Sequence, residues 1–290
     1  MRIAGNTLSD IKRYFDTELS EEYDVSERLA LFRLVAGEIN GFSMLHLHLN
    51  PNDRVNESDL ITYSQWVKRL KNFEPIQYIT GKSWFMDLEL EVNPSVLIPR
   101  PETEELVNFI LIENPSKEVR IIDACSGSGC IALALKHYLP QANVSGFDIS
   151  EAAIETAKKN AKKNALDVLF FHADLLNEVN WVIEGEIDIL VSNPPYIPQI
   201  EKSNLAKHVY MSEPEIALFV ADEDPLIFYR HLGNLAKRKL KAGGLLVSEC
   251  HQDFTTEVAD LWKKMGLANP EIHYDLSGNP RFVSVKNSGF

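Results

Sequence analysis

The pattern of apolar and polar positions changes near residue 75 and again near residue 100, which divides the chain into three regions. In the first region apolar residues recur at helical spacing, and strand-like alternation is scarce. Asp24 and Glu27 form a capping-box pair, and Ser58 is predicted to cap a further helix. The apolar faces of these two helices are assigned to Leu29, Leu31, Phe32, Leu34 and Val35, and to Leu60, Tyr63, Val67 and Leu70. Residues 1–74 are therefore expected to form a small helical domain.

The second region, residues 75–100, contains a short segment with strand character. Apolar and polar residues alternate from Leu88 to Val92, after the aromatic pair Trp84 and Phe85. Asn93 and Pro94 then mark a turn. This segment is expected to be a β-hairpin that links two domains.

The third region, residues 101–290, alternates between helical and strand-like patterns. This alternation is typical of a mostly parallel sheet with helices on both faces. The last two strands, joined by a turn at residues 277–280, are expected to close one edge of the sheet. The predicted helices are 102–114, 129–138, 151–164, 226–240 and 254–265, and the predicted strands are 119–124, 144–148, 168–173, 187–192, 244–250, 271–274 and 281–285.

Composition restricts the class of protein. The 290 residues are 45% hydrophobic and 24% charged, as in soluble globular proteins, and the net charge is −13. Such an acidic chain is a poor binder of phosphate backbones, so direct nucleic-acid binding is not expected. The three cysteines form no Cys-x-x-Cys pair, and the chain has neither a signal-peptide pattern nor an apolar run of about 18 residues. A cytoplasmic location without membrane association is expected. His46 and His48 have no neighbouring ligands, so no metal site is predicted.

A glycine-rich turn follows the first strand of the third region. Residues Ala124–Gly129 read Ala-Cys-Ser-Gly-Ser-Gly, and Ala132 completes a Gly-x-Gly-x-x-Ala pattern. Such a turn allows a ligand to contact bare backbone at the start of a helix. The pattern is compatible with NAD and equally with another adenosine-containing cofactor.

Two acidic residues follow the next two strands. Asp148 lies about 20 residues beyond the glycine turn, where a carboxylate suits a ribose diol. Capping of the helix that follows is the alternative role for Asp148. Asp174 follows the third strand and could accept a hydrogen bond from an adenine amino group, although an ordinary loop aspartate is equally compatible with the spacing.

A four-residue motif, Asn193-Pro194-Pro195-Tyr196, follows the buried strand at residues 187–192. The two prolines end the strand and fix its backbone. An amide side chain is thereby held at the carboxyl end of a strand, where open α/β sheets bind ligands. The motif suits a planar, nitrogen-bearing substrate.

Together these motifs resemble the class I S-adenosylmethionine-dependent methyltransferases. That family has Asp-x-Gly-x-Gly-x-Gly after its first strand, an acidic end to its second strand and, in its amino-directed members, Asn/Asp-Pro-Pro-aromatic after its fourth. The matching residues here are Asp123, Asp148 and the Asn193 motif. One position departs from the pattern, because Cys125 stands where the family has its first glycine.

Further segments resemble the release factor glutamine N5-methyltransferases, namely residues 74–81, 97–104, 191–198 and 275–281, together with Glu213-Pro214, Ala217-Leu218 and Tyr229-Arg230. The resemblance implies a Rossmann-like, mostly parallel seven-stranded sheet preceded by a helical domain that contacts the protein substrate. It implies S-adenosylmethionine as cofactor, S-adenosylhomocysteine as product, and the glutamine of the Gly-Gly-Gln motif of class-1 release factors as substrate. The cofactor-binding residues that it implies are Arg100, Thr103, Asp123, Cys125, Ser126, Gly127, Ser128, Gly129, Asp148, Asp174, Leu175 and Asn193.

The catalytic residues are expected to be Asn193, Pro194, Pro195 and Tyr196. The Asn193 side-chain oxygen and the Pro194 carbonyl would accept the two protons of the substrate amide, and Tyr196 would pack on its plane. An ion pair with Glu102 or Glu104 is the alternative role for Arg100. Two other functions remain open: methylation of an adenine or cytosine amino group in nucleic acid, and NAD-dependent oxidoreduction.

Overall fold

The computed structural model describes residues 3–113, 118–178 and 183–287, and its chain divides into two compact units. The first unit comprises Met1–Gly81 and Ala206–Ser212, and the second comprises Lys82–Leu205 and Glu213–Phe290. The first unit thus extends past residue 74, the predicted limit of the helical domain. No helix in the described ranges is both long and apolar enough to cross a membrane.

Helices and strands follow one another in the order that the α/β pattern predicts. The helices are α1 (Leu8–Glu18), α2 (Val25–Asn40), α3 (Met44–Leu49), α4 (Glu57–Lys71), α5 (Ile76–Thr80), α6 (Pro101–Glu113), α7 (Cys130–Tyr138), α8 (Glu151–Lys163), α9 (Lys207–Tyr210), α10 (Glu215–Leu218), α11 (Ile227–Lys239) and α12 (Thr255–Lys264). The strands are β1 (Lys82–Phe85), β2 (Leu88–Glu91), β3 (Arg120–Ala124), β4 (Asn143–Asp148), β5 (Leu169–His172), β6 (Ile187–Ser192), β7 (Ile197–Pro198), β8 (Phe219–Val220), β9 (Leu240–Glu249), β10 (Glu271–Tyr274) and β11 (Pro280–Lys286).

The first unit is helical, and its core lies between α1, α2 and α4. Phe15 is fully buried and packs edge to face with the rings of Phe32 and Tyr63, at centroid distances of 5.6 and 6.2 Å. Such edge-to-face pairs add to the free energy gained from burying the rings. The capping box at Asp24 and Glu27 is present as predicted.

Two details of the helical domain differ from the prediction. Helix α4 is capped by Asn56, whose side chain accepts a hydrogen bond from the backbone of Asp59, rather than by Ser58. Asparagine and serine satisfy the first backbone N–H groups of a helix about equally well, so residue type alone does not distinguish the two caps. Leu34, assigned to the apolar face of α2, is 43% exposed, because the buried face follows Phe32, Val35 and Ala36.

The second unit contains a seven-stranded sheet in the order β10-β11-β9-β6-β3-β4-β5. The five strands from β9 to β5 pair in parallel, whereas β11 pairs antiparallel with both β9 and β10. The last two strands therefore close one edge, as predicted. The chain passes from β3 outward to β4 and β5 and then returns to β6 on the other side of β3. This reversal creates a switch point at the carboxyl ends of β3 and β6, where open α/β sheets bind ligands.

Both faces of this sheet are covered by helices. On β3, the neighbouring residues Ile121 and Ile122 point into opposite cores, as the alternation of side chains along a strand requires. The core around Ile121 includes residues of α6, α7 and α8. The core around Ile122 includes residues of α11 and α12, among them the fully buried Trp262.

Predicted element ends agree with the structure to within a few residues, with one larger difference. Strand β6 spans the predicted residues, whereas β9 begins at Leu240 rather than at residue 244, because Leu240 pairs with Ile187 across an irregularity in the ladder. The two-residue strands β7 and β8, which pair with each other, have no counterpart in the prediction. Asn114, the predicted end of α6, lies outside the described residues.

One asparagine connects the hairpin, helix α8 and the glycine-rich turn. Asn160 is fully buried on α8, and its side chain hydrogen-bonds both the N–H and the C=O of Glu91 on β2, at 2.6 and 3.0 Å. Its amide also donates to the carbonyl oxygen of Ser128, at 3.0 Å. A single side chain thus fixes the edge of the hairpin and the end of the turn.

We expect Asn160→Leu to lower the free energy of unfolding by about 3 kcal/mol, because three backbone groups, two of Glu91 and one of Ser128, lose their partner on a fully buried side chain. Urea denaturation would measure this loss. Lys159→Ala, at the exposed neighbouring position, is the control and should change stability by no more than about 0.5 kcal/mol. Equal stabilities for the two variants would contradict the connecting role of Asn160.

Candidate active site

A cavity in the second unit lies at the carboxyl ends of β3, β4, β5 and β6. Its lining combines the glycine-rich turn, the residues after β4 and β5, and the Asn-Pro-Pro segment after β6. Of the predicted site residues, those that line it are Arg100, Thr103, Cys125, Ser126, Gly127, Ser128, Asp148, Asp174, Leu175, Asn193 and Pro195. Asp123, Gly129, Pro194 and Tyr196 lie outside the lining, next to residues that form it.

The glycine-rich turn depends on backbone conformations that favour glycine. Gly127 and Gly129 have φ angles of 55° and 81°. A methyl group added at Gly127 would meet no atom within 4 Å, so the cavity reaches its bare backbone. The same addition at Gly129 would come within 2.7 Å of the Phe170 ring. Gly127 therefore leaves room for a ligand, whereas Gly129 allows close packing behind the turn.

Cys125 also adopts a left-handed conformation, with φ of 61°. This is the position at which the methyltransferase pattern has glycine, and the structure shows why glycine suits it. A side chain with a β-carbon is strained in this region by about 1–2 kcal/mol. Burial and the neighbouring Asp148 raise the pKa of the Cys125 thiol well above its usual range, so it is a neutral thiol at neutral pH.

Asp148 is fixed by backbone donors at the end of β4. One carboxylate oxygen accepts from the N–H of Gly127 and the other from the N–H of Ser150, both at 2.9 Å. The N-cap of α8 is Ser150, whose hydroxyl oxygen accepts from Ala153. Capping of this helix is therefore not the role of Asp148. Burial raises the pKa of Asp148, although its backbone hydrogen bonds oppose that shift.

The other two predicted aspartates differ in their access to the cavity. Asp123 is fully buried behind the turn, and one of its oxygens accepts from the N–H of Ala132 at 3.2 Å. Burial raises the pKa of Asp123 well above its usual range. Asp174 lines the cavity, and its Oδ1 accepts from the N–H of Leu176 at 2.8 Å.

The Asn-Pro-Pro-Tyr motif begins directly after β6, as predicted. The Asn193 amide donates from Nδ2 to the hydroxyl oxygen of Thr103, at 3.2 Å. Pro195 lines the cavity, whereas the Tyr196 hydroxyl donates to Glu249 at 3.1 Å. Side-chain hydrogen bonds thus attach the motif to α6 at Asn193 and to the end of β9 three residues later.

Arg100 contacts Glu213, at 2.5 Å, and not Glu102 or Glu104 as the alternative interpretation had it. The side chain of Glu213 is fully buried, and its other oxygen accepts from the N–H of Ile98 at 3.2 Å. This ion pair joins the segment before α6 to the segment before α10, and Arg100 and Ile216 from these segments line the cavity.

Sequence analysis did not identify Glu249 and Glu213 as site residues. Glu249 ends β9, which pairs with β6, so a carboxylate at the end of the neighbouring parallel strand was the available signal. Glu213 lies in a segment that resembles the family, but its pairing with Arg100 had no signal, because it lies in the loop between α9 and α10 and is more than 100 residues from Arg100 in sequence.

Comparisons with known proteins identify the family of this chain. It is 38% identical to a release factor glutamine methyltransferase of Flavobacterium psychrophilum, over 95% of this chain and 98% of the relative. It is 36% identical to one of Bacteroides thetaiotaomicron, over 96% and 99% of the two chains. The chain belongs to the release factor glutamine methyltransferase family.

Family models agree with membership in the release factor glutamine methyltransferases, and solved structures show the same fold. The PrmC N-terminal domain model matches residues 10–81, and the methyltransferase small domain model matches residues 104–218. A methyltransferase of Pyrococcus furiosus has a similar fold, with a TM-score of 0.53 and 17% identity over 78% of this chain and 99% of that one. A 16S rRNA methyltransferase of T. thermophilus gives a TM-score of 0.51, with 15% identity over 71% and 49%. The methyltransferase fold predicted from the sequence is confirmed.

We expect Cys125→Gly to be more stable than Cys125→Ala by about 0.5–1 kcal/mol, because only glycine adopts a φ of 61° without strain. Cys130, at the start of α7, provides the control. There the order should reverse, with Cys130→Gly less stable than Cys130→Ala, since the backbone is helical. Chemical denaturation of the four variants measures both differences, and the same order at both positions would refute the conformational explanation.

Proposed function

We propose that this protein transfers a methyl group from S-adenosylmethionine to the side-chain amide nitrogen of the glutamine in the Gly-Gly-Gln motif of class-1 release factors, in the cytoplasm. Family membership supports the reaction and the substrate. The observation that supports it most directly is the placement of Asn193 on the wall of a cavity that also exposes the bare backbone of Gly127 and the side chain of Asp148. Neither of the two alternative functions receives comparable support.

The lining of the cavity fits S-adenosylmethionine. The open space at Gly127 suits a ligand that approaches the backbone closely, and Asp148 is held with its carboxylate at the end of β4, where a ribose diol is recognised. Residues Cys125–Gly129 would hold the methionine end, and Asp174 and Leu175 would lie beside the adenine. When bound, this cofactor supplies a methyl group that is activated by its positively charged sulfur.

The protein's contribution is to orient the amide nitrogen of the substrate. That nitrogen is a weak nucleophile, because its lone pair is delocalised into the carbonyl group. Two acceptors, Oδ1 of Asn193 and the carbonyl oxygen of Pro194, would hold the two amide protons and stabilise positive charge as it develops on the nitrogen. Pro194 and Pro195 restrict the backbone and so keep both acceptors in place. The extra proton is lost after methyl transfer, so no dedicated base is required.

The experiment that tests this proposal compares substrates with methyl-labelled S-adenosylmethionine. The purified protein is incubated with a release factor, with the same factor carrying Gln→Glu in its Gly-Gly-Gln motif, and with DNA and RNA. Label is expected in the unaltered factor alone, because glutamate has no amide nitrogen. Label in nucleic acid but not in the release factor would overturn the proposal.

We expect Asn193→Ala to lower kcat by about 10²-fold or more, because it removes an acceptor that acts on the developing charge. The affinity for S-adenosylhomocysteine, measured by calorimetry, should change much less. Asp148→Asn is the matched variant, and it should instead weaken that affinity by about tenfold or more, because a hydrogen bond to a charged group contributes about 1.5–3 kcal/mol. Near-normal turnover in Asn193→Ala would contradict the assignment.

A further inference from the structure

Glu249 links two residues of the Asn-Pro-Pro-Tyr motif through one buried carboxylate. It is 1% exposed at the end of β9. Its Oε1 accepts from the Tyr196 hydroxyl at 3.1 Å, and its Oε2 accepts from the Thr103 hydroxyl at 2.7 Å. Thr103 in turn accepts from the Asn193 amide at 3.2 Å. Thus the first and last residues of the motif are both connected to Glu249, one directly and one through Thr103.

The direction of these hydrogen bonds is determined by the chemistry of the groups. An ionised carboxylate only accepts, so the single hydroxyl proton of Thr103 is used on Glu249. The oxygen of Thr103 can then only accept from Asn193, which requires the NH₂ side of the amide to face it. The Oδ1 side of Asn193 is left facing away from Thr103, and it accepts no hydrogen bond from the residues that the structure describes.

The two donors at Glu249 set this direction, because the Thr103 and Tyr196 hydroxyls point to separate oxygens of its carboxylate. Burial raises the pKa of Tyr196, and the nearby Glu249 raises it further, so the phenol remains a donor. Burial raises the pKa of Glu249 above its usual value, and its two hydroxyl donors and the charge of Arg281 oppose that rise. Arg281 is held by Asp275, at 3.1 Å, in the segment after β10. Residues 275–281, one of the segments that resemble the family, thus hold the charge of Arg281 near Glu249.

We infer that Glu249 is a positioning residue, which acts through Thr103 to set the amide of Asn193 with its oxygen towards the substrate nitrogen. The inference rests on the proposed function, in which that oxygen accepts a substrate proton. An asparagine amide can turn by 180° at little steric cost, and its NH₂ group would then face the NH₂ group of the substrate amide. Glu249 and Thr103 exclude this turned state, because the Thr103 oxygen can only accept from Asn193.

Thr103→Val tests the inference, because it removes the hydroxyl while the shape of the side chain is retained. We expect kcat to fall by about tenfold or more, while KM for the release factor changes by less than about threefold. Thr103→Ser restores a hydroxyl and should recover most of the lost activity. Melting temperatures report whether each variant is folded.

Thr156→Val is the matched control. Thr156 is buried on α8, and its hydroxyl oxygen likewise accepts from an asparagine amide, that of Asn93 at 3.0 Å, but neither residue lines the cavity. This variant should lose stability without a comparable loss of kcat. A similar fall of kcat in Thr156→Val, or an unchanged kcat in Thr103→Val, would overturn the inference.

The role of Glu249 is tested by a double-mutant cycle. Glu249→Gln keeps the size of the side chain but introduces an NH₂ donor, so one of the two hydroxyls must reverse. We expect kcat to fall by about threefold or more when Thr103 is present and by clearly less in Thr103→Val, because the effect passes through that hydroxyl. The inference would be overturned if Glu249→Gln lowered kcat by the same factor with and without the Thr103 hydroxyl. Absence of methyl transfer by the unaltered protein would instead count against the proposed function.

Discussion

Parallel pairing of the five strands from β9 to β5 is the constraint on which the site depends. Because parallel strands end at the same edge, residues that are far apart in sequence come together there. The glycine-rich turn, Asp148, Asn193 and Glu249 each follow or end one of these strands. The reversal of strand order between β3 and β6 separates the connections on the two sides and leaves room for the cavity between them.

This edge concentrates acidic groups that are costly to bury, and each is stabilised by donors from neighbouring elements. Asp148 accepts from two backbone N–H groups, whereas Glu249 accepts from two hydroxyl groups. An unpaired carboxylate in such a place would instead be neutralised or would destabilise the fold. Both acidic side chains thus fix the segments around them, and Asp148 also lines the cavity.

Local features of the chain could be predicted from the sequence, whereas contacts between residues far apart in sequence could not. The strand at residues 187–192 and the turn around Gly127 are local patterns, and both were predicted correctly. Helix α4 shows the limit of a local pattern, because Asn56 and Ser58 are both good caps. The partners of Arg100 and Thr103 depend on strand order, which brings Glu213 and Glu249 to them from more than 100 residues away. No periodicity encodes those pairings.

The choice of asparagine at the start of the motif explains why such partners are needed. An aspartate at position 193 would accept in either orientation, but it would add a charge within two hydrogen bonds of the buried Glu249, at a high electrostatic cost. Asparagine avoids that charge, although its two faces are nearly equal in shape and opposite in hydrogen bonding. The Asn193 amide therefore needs a neighbour that can only accept, here the Thr103 oxygen, so that its NH₂ side faces Thr103 and its Oδ1 side faces the other way. In this fold that role falls to Glu249 at the end of β9, a strand that pairs directly with β6.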